Sequence, residues 1–301
     1  IGLAIGTYVN WLIVAKKIRT YSHGYNAVTL PDFFSKRFGG SKTITCISAL
    51  MIVIFFFPYT ASGFAACGKL FASLFDVDYF TAMAISAAII VCYCALGGFL
   101  AASTTDFIQS IVMSIALVIV VVFGINIAGG LGAVVDNAKS LPGYLDFFNT
   151  YSPATNSSVP YGGLSIFSML AWGLGYFGMP HILLRFMAIE DKNKLKLSRR
   201  VASVWVVISL AVAVFIGIVG LAMSKVGAVE TLAGSNSETI IVKIAHLLST
   251  YGPFAAITAG VILAGILAAT MSTADSQLLA AASSISQNLM KECFGVKMTE
   301  K

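Results

Sequence analysis

Apolar residues fall in long blocks separated by short polar stretches. Seven blocks stand out, at about 1–15, 44–72, 79–100, 107–129, 163–187, 201–224 and 254–290. Apolar runs of this kind predict helices that cross a bilayer. The first block, IGLAIGTYVNWLIVA, has no initiator methionine and no charged leader, and it reads as a helix entered partway. The last is longer than the roughly 20 residues that one span needs, so its C-terminal turns are expected to run past the membrane.

The polar stretches alternate in charge. Residues 16–43 hold Lys16, Lys17, Arg19, Lys36, Arg37 and Lys42 against Asp32. Residues 185–200 hold Arg185, Lys192, Lys194, Lys196, Arg199 and Arg200 against Glu190 and Asp191. In contrast, 130–162 has Lys139 against Asp136 and Asp146, and 225–253 balances Lys225 and Lys243 with Glu230 and Glu238. Basic loops stay in the cytoplasm, which puts the first two stretches inside and the last two outside. Seven spans with an inner C-terminus satisfy all four.

Composition agrees with the pattern. The 301 residues are 58% hydrophobic and 11% charged, with a mean hydropathy of +0.89. A soluble domain carries about 25% charged residues. The net charge of +6 reads as a cytoplasmic-loop bias. No basic patch is interleaved with exposed aromatics, so no nucleic-acid partner is expected. Cys46, Cys67, Cys92 and Cys94 lie in or beside apolar blocks, and Cys293 lies in the tail. Cys92-x-Cys94 lacks the two-residue gap of a zinc or redox pair, so the cysteines are expected to be buried small hydrophobes.

Two blocks concentrate polar or helix-breaking residues. Residues 171–181 read AWGLGYFGMPH. Gly173, Gly175 and Gly178 fit G-x-G-x-x-G, but that fingerprint needs a preceding strand and a βαβ unit. Here it sits inside an apolar run. One reading is helix packing, where small residues let membrane helices approach closely; that accounts for Gly173 and Gly175. The other is a transport site. Pro180 removes a donor and frees the carbonyl one turn back, near Tyr176. A broken membrane helix is tolerated where it is buried in protein or lines a cavity. Trp172 and Tyr176 are four apart and share an α-helical face, so a small zwitterion would meet freed backbone groups beside an aromatic wall.

The last block holds AATMSTADSQLLAAASS. Ala269, Ser272, Thr273 and Ser276 form one stripe at i, i+3, i+4 and i+7. Such hydroxyls bond back to their own helix carbonyls, or they serve a hard cation such as sodium. The stripe supplies only part of a sodium shell. Asp106, in GGFLAASTTDFIQS, reads as a helix N-cap or first-turn acid or as a cation way-station on an inward exit path. Asp275 lies on another face. An acid in a membrane segment is a functional suspect, or near the cytoplasmic end it reaches water.

Four stretches carry a family resemblance: TLPDFFSKRF (29–38), GGFLAASTTDFIQ (97–109), AWGLGYFGMPHILLRFMA (171–188) and ILAATMSTADSQLL (266–279). In them the chain resembles the sodium/solute symporters, most closely the bacterial sodium/proline symporters. The resemblance implies an all-α integral membrane protein of the inverted-repeat, five-plus-five-helix fold. It would be multi-pass in the plasma membrane, which in bacteria is the inner membrane. Residues 1–290 would form a transmembrane transporter core that looks like core helices two to eight. Residues 291–301 would be a cytoplasmic tail or the start of the next loop. The family's first core helix, unwound at mid-membrane, completes both sites and would lie upstream of Ile1.

The resemblance also implies sodium-coupled symport of a small amino acid, most closely proline, and no enzymatic activity. Its partners would be the sodium ion, the solute and the lipid bilayer. By position, Ala269 through its carbonyl, and Ser272 and Thr273 through their hydroxyls, match the family's sodium ligands. Trp172, Tyr176 and Pro180 match substrate-site positions, and Tyr93 in CYCALGGF matches a tyrosine tied to proline transport. Asp106 matches an acid on the sodium release path. Met179 departs from the pattern, since proline transporters usually have Gln there. The competing readings are a symporter for another small organic solute and a solute-sensing membrane domain of a signalling protein, which the sequence beyond Lys301 would tell apart. A channel ranks last, because no filter motif is visible.

Overall fold

The computed structural model describes residues 1–75, 77–232 and 234–297, and it is almost entirely helical. α1 (Gly2–Asn10) passes through a π-helical stretch (Trp11–Ala15) into α2 (Lys16–Gly24). α3 (Leu30–Arg37) follows, then α4 (Lys42–Phe75) and α5 (Tyr79–Ile127). Next come α6 (Leu131–Ser140), strands β1 (Asn149–Ser152) and β2 (Ser157–Pro160), α7 (Gly163–Ala171), a 3-10 stretch (Trp172–Phe177) and α8 (Pro180–Ala188). α9 (Leu195–Lys225), α10 (Ile240–Ser249), α11 (Pro253–Ser283) and a π-helical end (Ser284–Cys293) complete the order.

Among the described residues four helices are long and apolar enough to cross a bilayer, and the pair Gly163–Phe177 with Pro180–Ala188, bent by 43°, raises the number to five. Seven spans require two more. One comes from α5. Its 49 residues would extend about 73 Å at 1.5 Å per residue, more than twice a hydrocarbon core of about 30 Å. Gly98 breaks it with φ 56° and ψ −149°, a conformation open essentially to glycine alone. The expected blocks 79–100 and 107–129 are therefore one run bent at a glycine, with no loop between them. The other is the run from α1 to Ala15, whose apolar part is shorter than a bilayer. Large side chains such as Leu96, Leu164 and Phe254 are more than 80% exposed, as lipid-facing residues are.

The helices sort into two compact units. One comprises Ile1–Ile108, Trp172–Ser203 and Ala269–Lys301; the other comprises Gln109–Ala171 and Val204–Ala268. The second has its core around Val120, Val134, Ile216, Met223, Ile244 and Ile262. Small residues set its helix spacing: a Cβ on Gly124 would come within 2.5 Å of Val219, and one on Gly265 within 2.6 Å of Ala116. The second unit also holds an antiparallel hairpin, with Asn149 opposite Pro160 and Ser152 opposite Ser157. Ahead of it, Asp146 accepts from the Phe148 backbone N–H at 2.9 Å and from the Asn149 amide at 2.5 Å. Those bonds hold its carboxyl below the usual carboxylate range.

The first unit is built on local signals the sequence carries. Thr29 caps α3 by accepting from the Asp32 N–H at 3.2 Å, Pro31 sits in the first turn, and Lys36 pairs with Asp32 at 2.9 Å. Ile18, Leu30, Phe33, Leu183 and Phe186 pack together there, with the Trp11 ring 4.5 Å from Phe186. The π-helical end lies along α4. Asn288 donates to Thr29 Oγ1 at 2.9 Å, and Cys46 is disulfide-bonded to Cys293. The reading of every cysteine as a buried hydrophobe therefore holds for Cys67 and Cys94, not for this pair or for the exposed Cys92. A partner 247 residues away leaves no mark in local spacing.

Candidate functional site

Every residue singled out in the sequence lies in the first unit, in two places. The first is the break ahead of α8. Pro180 opens α8 at a position where its missing N–H costs nothing. Met179 is the N-cap residue, extended at φ −70° and ψ 110°, and its side chain caps nothing.

The carbonyl freed near Tyr176 is not free. Asn10 of α1, 1% exposed, donates its amide N–H to Tyr176 O at 2.7 Å. The Asn10 Oδ1 atom is then left buried without a partner among the described residues. The unpaired acceptor at the break thus belongs to Asn10, which the motif reading missed. Its signal was a lone amide in an apolar run. Asn10→Ala strands a carbonyl away from water, which costs about 1–3 kcal/mol. The variant is expected to melt at a lower temperature in detergent; an unchanged midpoint would show that the bond contributes nothing.

The glycines divide between the two readings. A Cβ on Gly173 would collide with the backbone of Gly2 and Gly6, and one on Gly6 with the carbonyl of Gly173. Gly173 is therefore a helix-packing residue. Gly175 has nothing within 4 Å of such a Cβ, so packing does not explain it. The shared face of Trp172 and Tyr176 needs correcting. Residues 172–177 wind as a 3-10 helix, in which i and i+3 eclipse, so Trp172 aligns with Gly175. Tyr176 is half-buried with its hydroxyl against Thr7, while Trp172 is 68% exposed.

The second place is an acid network between α5, α8 and α11. Asp106 lies inside α5, eight residues past the Gly98 bend, so it is not a helix cap. Its carboxylate forms an ion pair with Arg185 of α8. Arg185 also donates to Ser276 Oγ at 2.6 Å. Asp275 is fully buried and does not reach water. It accepts from the Tyr93 hydroxyl at 2.9 Å, so Tyr93 stands with the acids. Ser276 Oγ has three acceptors in reach: Ser272 O at 3.1 Å, Asp275 Oδ1 at 3.1 Å and Asp106 Oδ2 at 3.5 Å. One hydroxyl carries one proton. Asp106 Oδ1 is buried with no partner among the described residues. That leaves one carboxylate oxygen able to accept from a further donor or a cation.

The predicted sodium stripe begins two turns before Ser276, at Ala269. Ser272 Oγ and Thr273 Oγ1 both donate to the Ala269 carbonyl, at 3.2 and 3.3 Å. This is the back-bonding that membrane hydroxyls show. It also gathers three oxygens at one point, the donor type a hard cation takes. Among the described residues no group of three or more His, Cys, Asp or Glu could hold a metal ion, and the oxygens gathered here are hydroxyls and a carbonyl. Ser276 joins this stripe to Asp106.

In a comparison with protein families, residues 1–301 match the sodium:solute symporter family. The chain belongs to that family. Similar curated proteins include the osmoregulated proline transporter OpuE and the high-affinity proline transporter PutP of Bacillus subtilis. Each is 39% identical over the whole of this chain, which covers 58% and 60% of their respective lengths. The sodium/proline symporter of Haemophilus influenzae is also 39% identical, over the whole chain and 58% of its own length. The chain spans less than two thirds of these relatives. Membership in the sodium:solute symporters, with the long apolar helices, makes this a multi-pass membrane protein.

Proposed function

We propose that this chain is part of a sodium-coupled symporter that carries a small amino acid, proline first among them, across the plasma membrane. The observation that carries the reading is the linkage of three converging oxygens, on Ala269, Ser272 and Thr273, through Ser276 to the half-paired carboxylate of Asp106. The names of the relatives, proline transporters and sodium/proline symporters, support proline as the solute.

In this reading sodium is held by the Ala269 carbonyl and the Ser272 and Thr273 hydroxyls, together with oxygens from elsewhere in the full-length protein. The solute lies at the break, against Trp172, Tyr176 and Pro180. Tyr93 acts on the solute through Asp275 rather than by lining the break. Sodium leaves past Asp106. Each ligand raises the other's affinity by the same factor, because binding coupling is reciprocal. Inward sodium movement contributes about 2.3 kcal/mol per 100 mV of membrane potential. Both cargoes leave unchanged, so no catalytic group is needed.

The test is uptake of labelled proline by the full-length protein, with and without sodium. Sodium should stimulate it severalfold. Uptake indifferent to sodium would sink the coupling. Sodium-dependent uptake of another amino acid in place of proline would reassign the solute, and Met179→Gln would then be the first variant to try.

A further inference from the structure

The first unit contains a cavity of about 460 Å³, within the range of small-molecule sites. Its walls are mostly apolar, with Val28, Phe99, Leu184 and Leu279 among them. Its polar groups are hydroxyls, His181 and Arg185, and among the described residues Arg185 is the one charged residue in the lining. The Nδ1 atom of His181 is buried without a hydrogen-bond partner among the described residues.

Arg185 is only half used. Its bonds to Asp106 and Ser276 both leave from one terminal nitrogen, Nη2. The guanidinium carries five N–H groups in a planar fork that fits a carboxylate with two parallel bonds. Both forked edges run through Nη2, so what remains for a second acceptor is the N–H groups of Nη1 and Nε taken singly, and the side chain is 42% exposed. An apolar chamber with one forked cation suits a small molecule with an apolar body and a carboxylate.

We propose that this cavity is a second solute site, occupied on the way to the cytoplasm, in which the carboxylate accepts from the unused Nη1 of Arg185. The inference rests on the transport reading above. It gives the Asp106–Arg185 pair a role in exit. Sodium arriving at Asp106 takes over the carboxylate that Arg185 held, and the solute's carboxylate takes over Arg185. One ion pair becomes two, and because a zwitterionic solute adds no net charge the site gains only the charge of the sodium ion, so each cargo eases the arrival of the other.

The experiment uses the full-length protein in proteoliposomes with labelled proline. It reads two quantities: the equilibrium Kd in sodium and the rate of proline counterflow. Removing the docking cation while the first site stays intact should slow exit more than binding. Arg185→Gln is expected to slow counterflow about tenfold or more and to change Kd less than about twofold. Ala27→Trp, which adds bulk to the cavity from the connection between α2 and α3 and from no helix that carries the ion pair, should slow counterflow in the same way. Unchanged counterflow in either variant overturns the proposal. So does an equal loss of binding and counterflow in Arg185→Gln, which would make Arg185 part of the first site or of the fold. Wild-type protein that binds no proline in sodium would sink the transport reading and this site together. Wild-type transport with an unaffected Arg185→Gln would sink this site alone.

Discussion

Thr273→Ala in the full-length symporter is expected to raise the sodium concentration for half-maximal proline uptake by about 5–150-fold, the range of a 1–3 kcal/mol coupling. The variant removes one of the three oxygens that meet at Ala269 O. A bond from a neutral group to an ion is worth about 1.5–3 kcal/mol. Thr273 is exposed, so the fold should survive its loss. Two controls separate chemistry from shape. Thr273→Ser keeps the hydroxyl and should keep most of the sodium response, whereas Thr273→Val keeps the volume and should behave like alanine. If valine is tolerated and serine is not, the hydroxyl is not a ligand.

The largest effect on stability is expected at the crossing of α1 with the 3-10 stretch. Gly6 and Gly173 meet backbone to backbone, and a Cβ on either would collide with main-chain atoms of the other strand of chain. A flexible side chain could swing away, but a backbone cannot. Overpacking costs about 1–3 kcal/mol and sometimes more, a large share of a total near 5–15 kcal/mol. Gly6→Ala or Gly173→Ala should therefore lower the melting temperature in detergent and reduce the yield of folded protein. Gly175→Ala, two residues on, faces open space and should be close to neutral. Equal effects at Gly173 and Gly175 would contradict the close crossing.

The parts of this molecule that repeat along one helix were readable in the sequence. The i, i+3, i+4 spacing of Ala269, Ser272 and Thr273 survived intact, because a single unbroken helix carries it. So did the break at Pro180, which depends on neighbours a few residues away. Contacts between separate helices had no such signal. Asn10 and Tyr176 are 166 residues apart, and Asp106 and Arg185 are 79 apart. Nothing periodic marks either pair. The α-helical period also misled where the winding changed: at three residues per turn, Trp172 and Tyr176 part company. At Gly98 a glycine in an apolar run looked like the edge of a span and proved to be a bend inside one helix. The hairpin of β1 and β2 was missed because each strand has only four residues, too few for alternation to show.

The first unit is made of three separate pieces of chain, and that imposes a birth order on its site. A ribosome adds about 5–20 residues per second, so Asp106 enters the membrane several seconds before Arg185 exists to pair with it. Ser272, Thr273 and Ser276 come later still, on the order of ten seconds behind Asp106 at that rate. The acid must be sheltered by water or by the insertion machinery until α8 arrives. The ion pair is thus older than the hydroxyl stripe beside it, and a nascent chain stalled between residues 188 and 269 would carry the pair without the stripe.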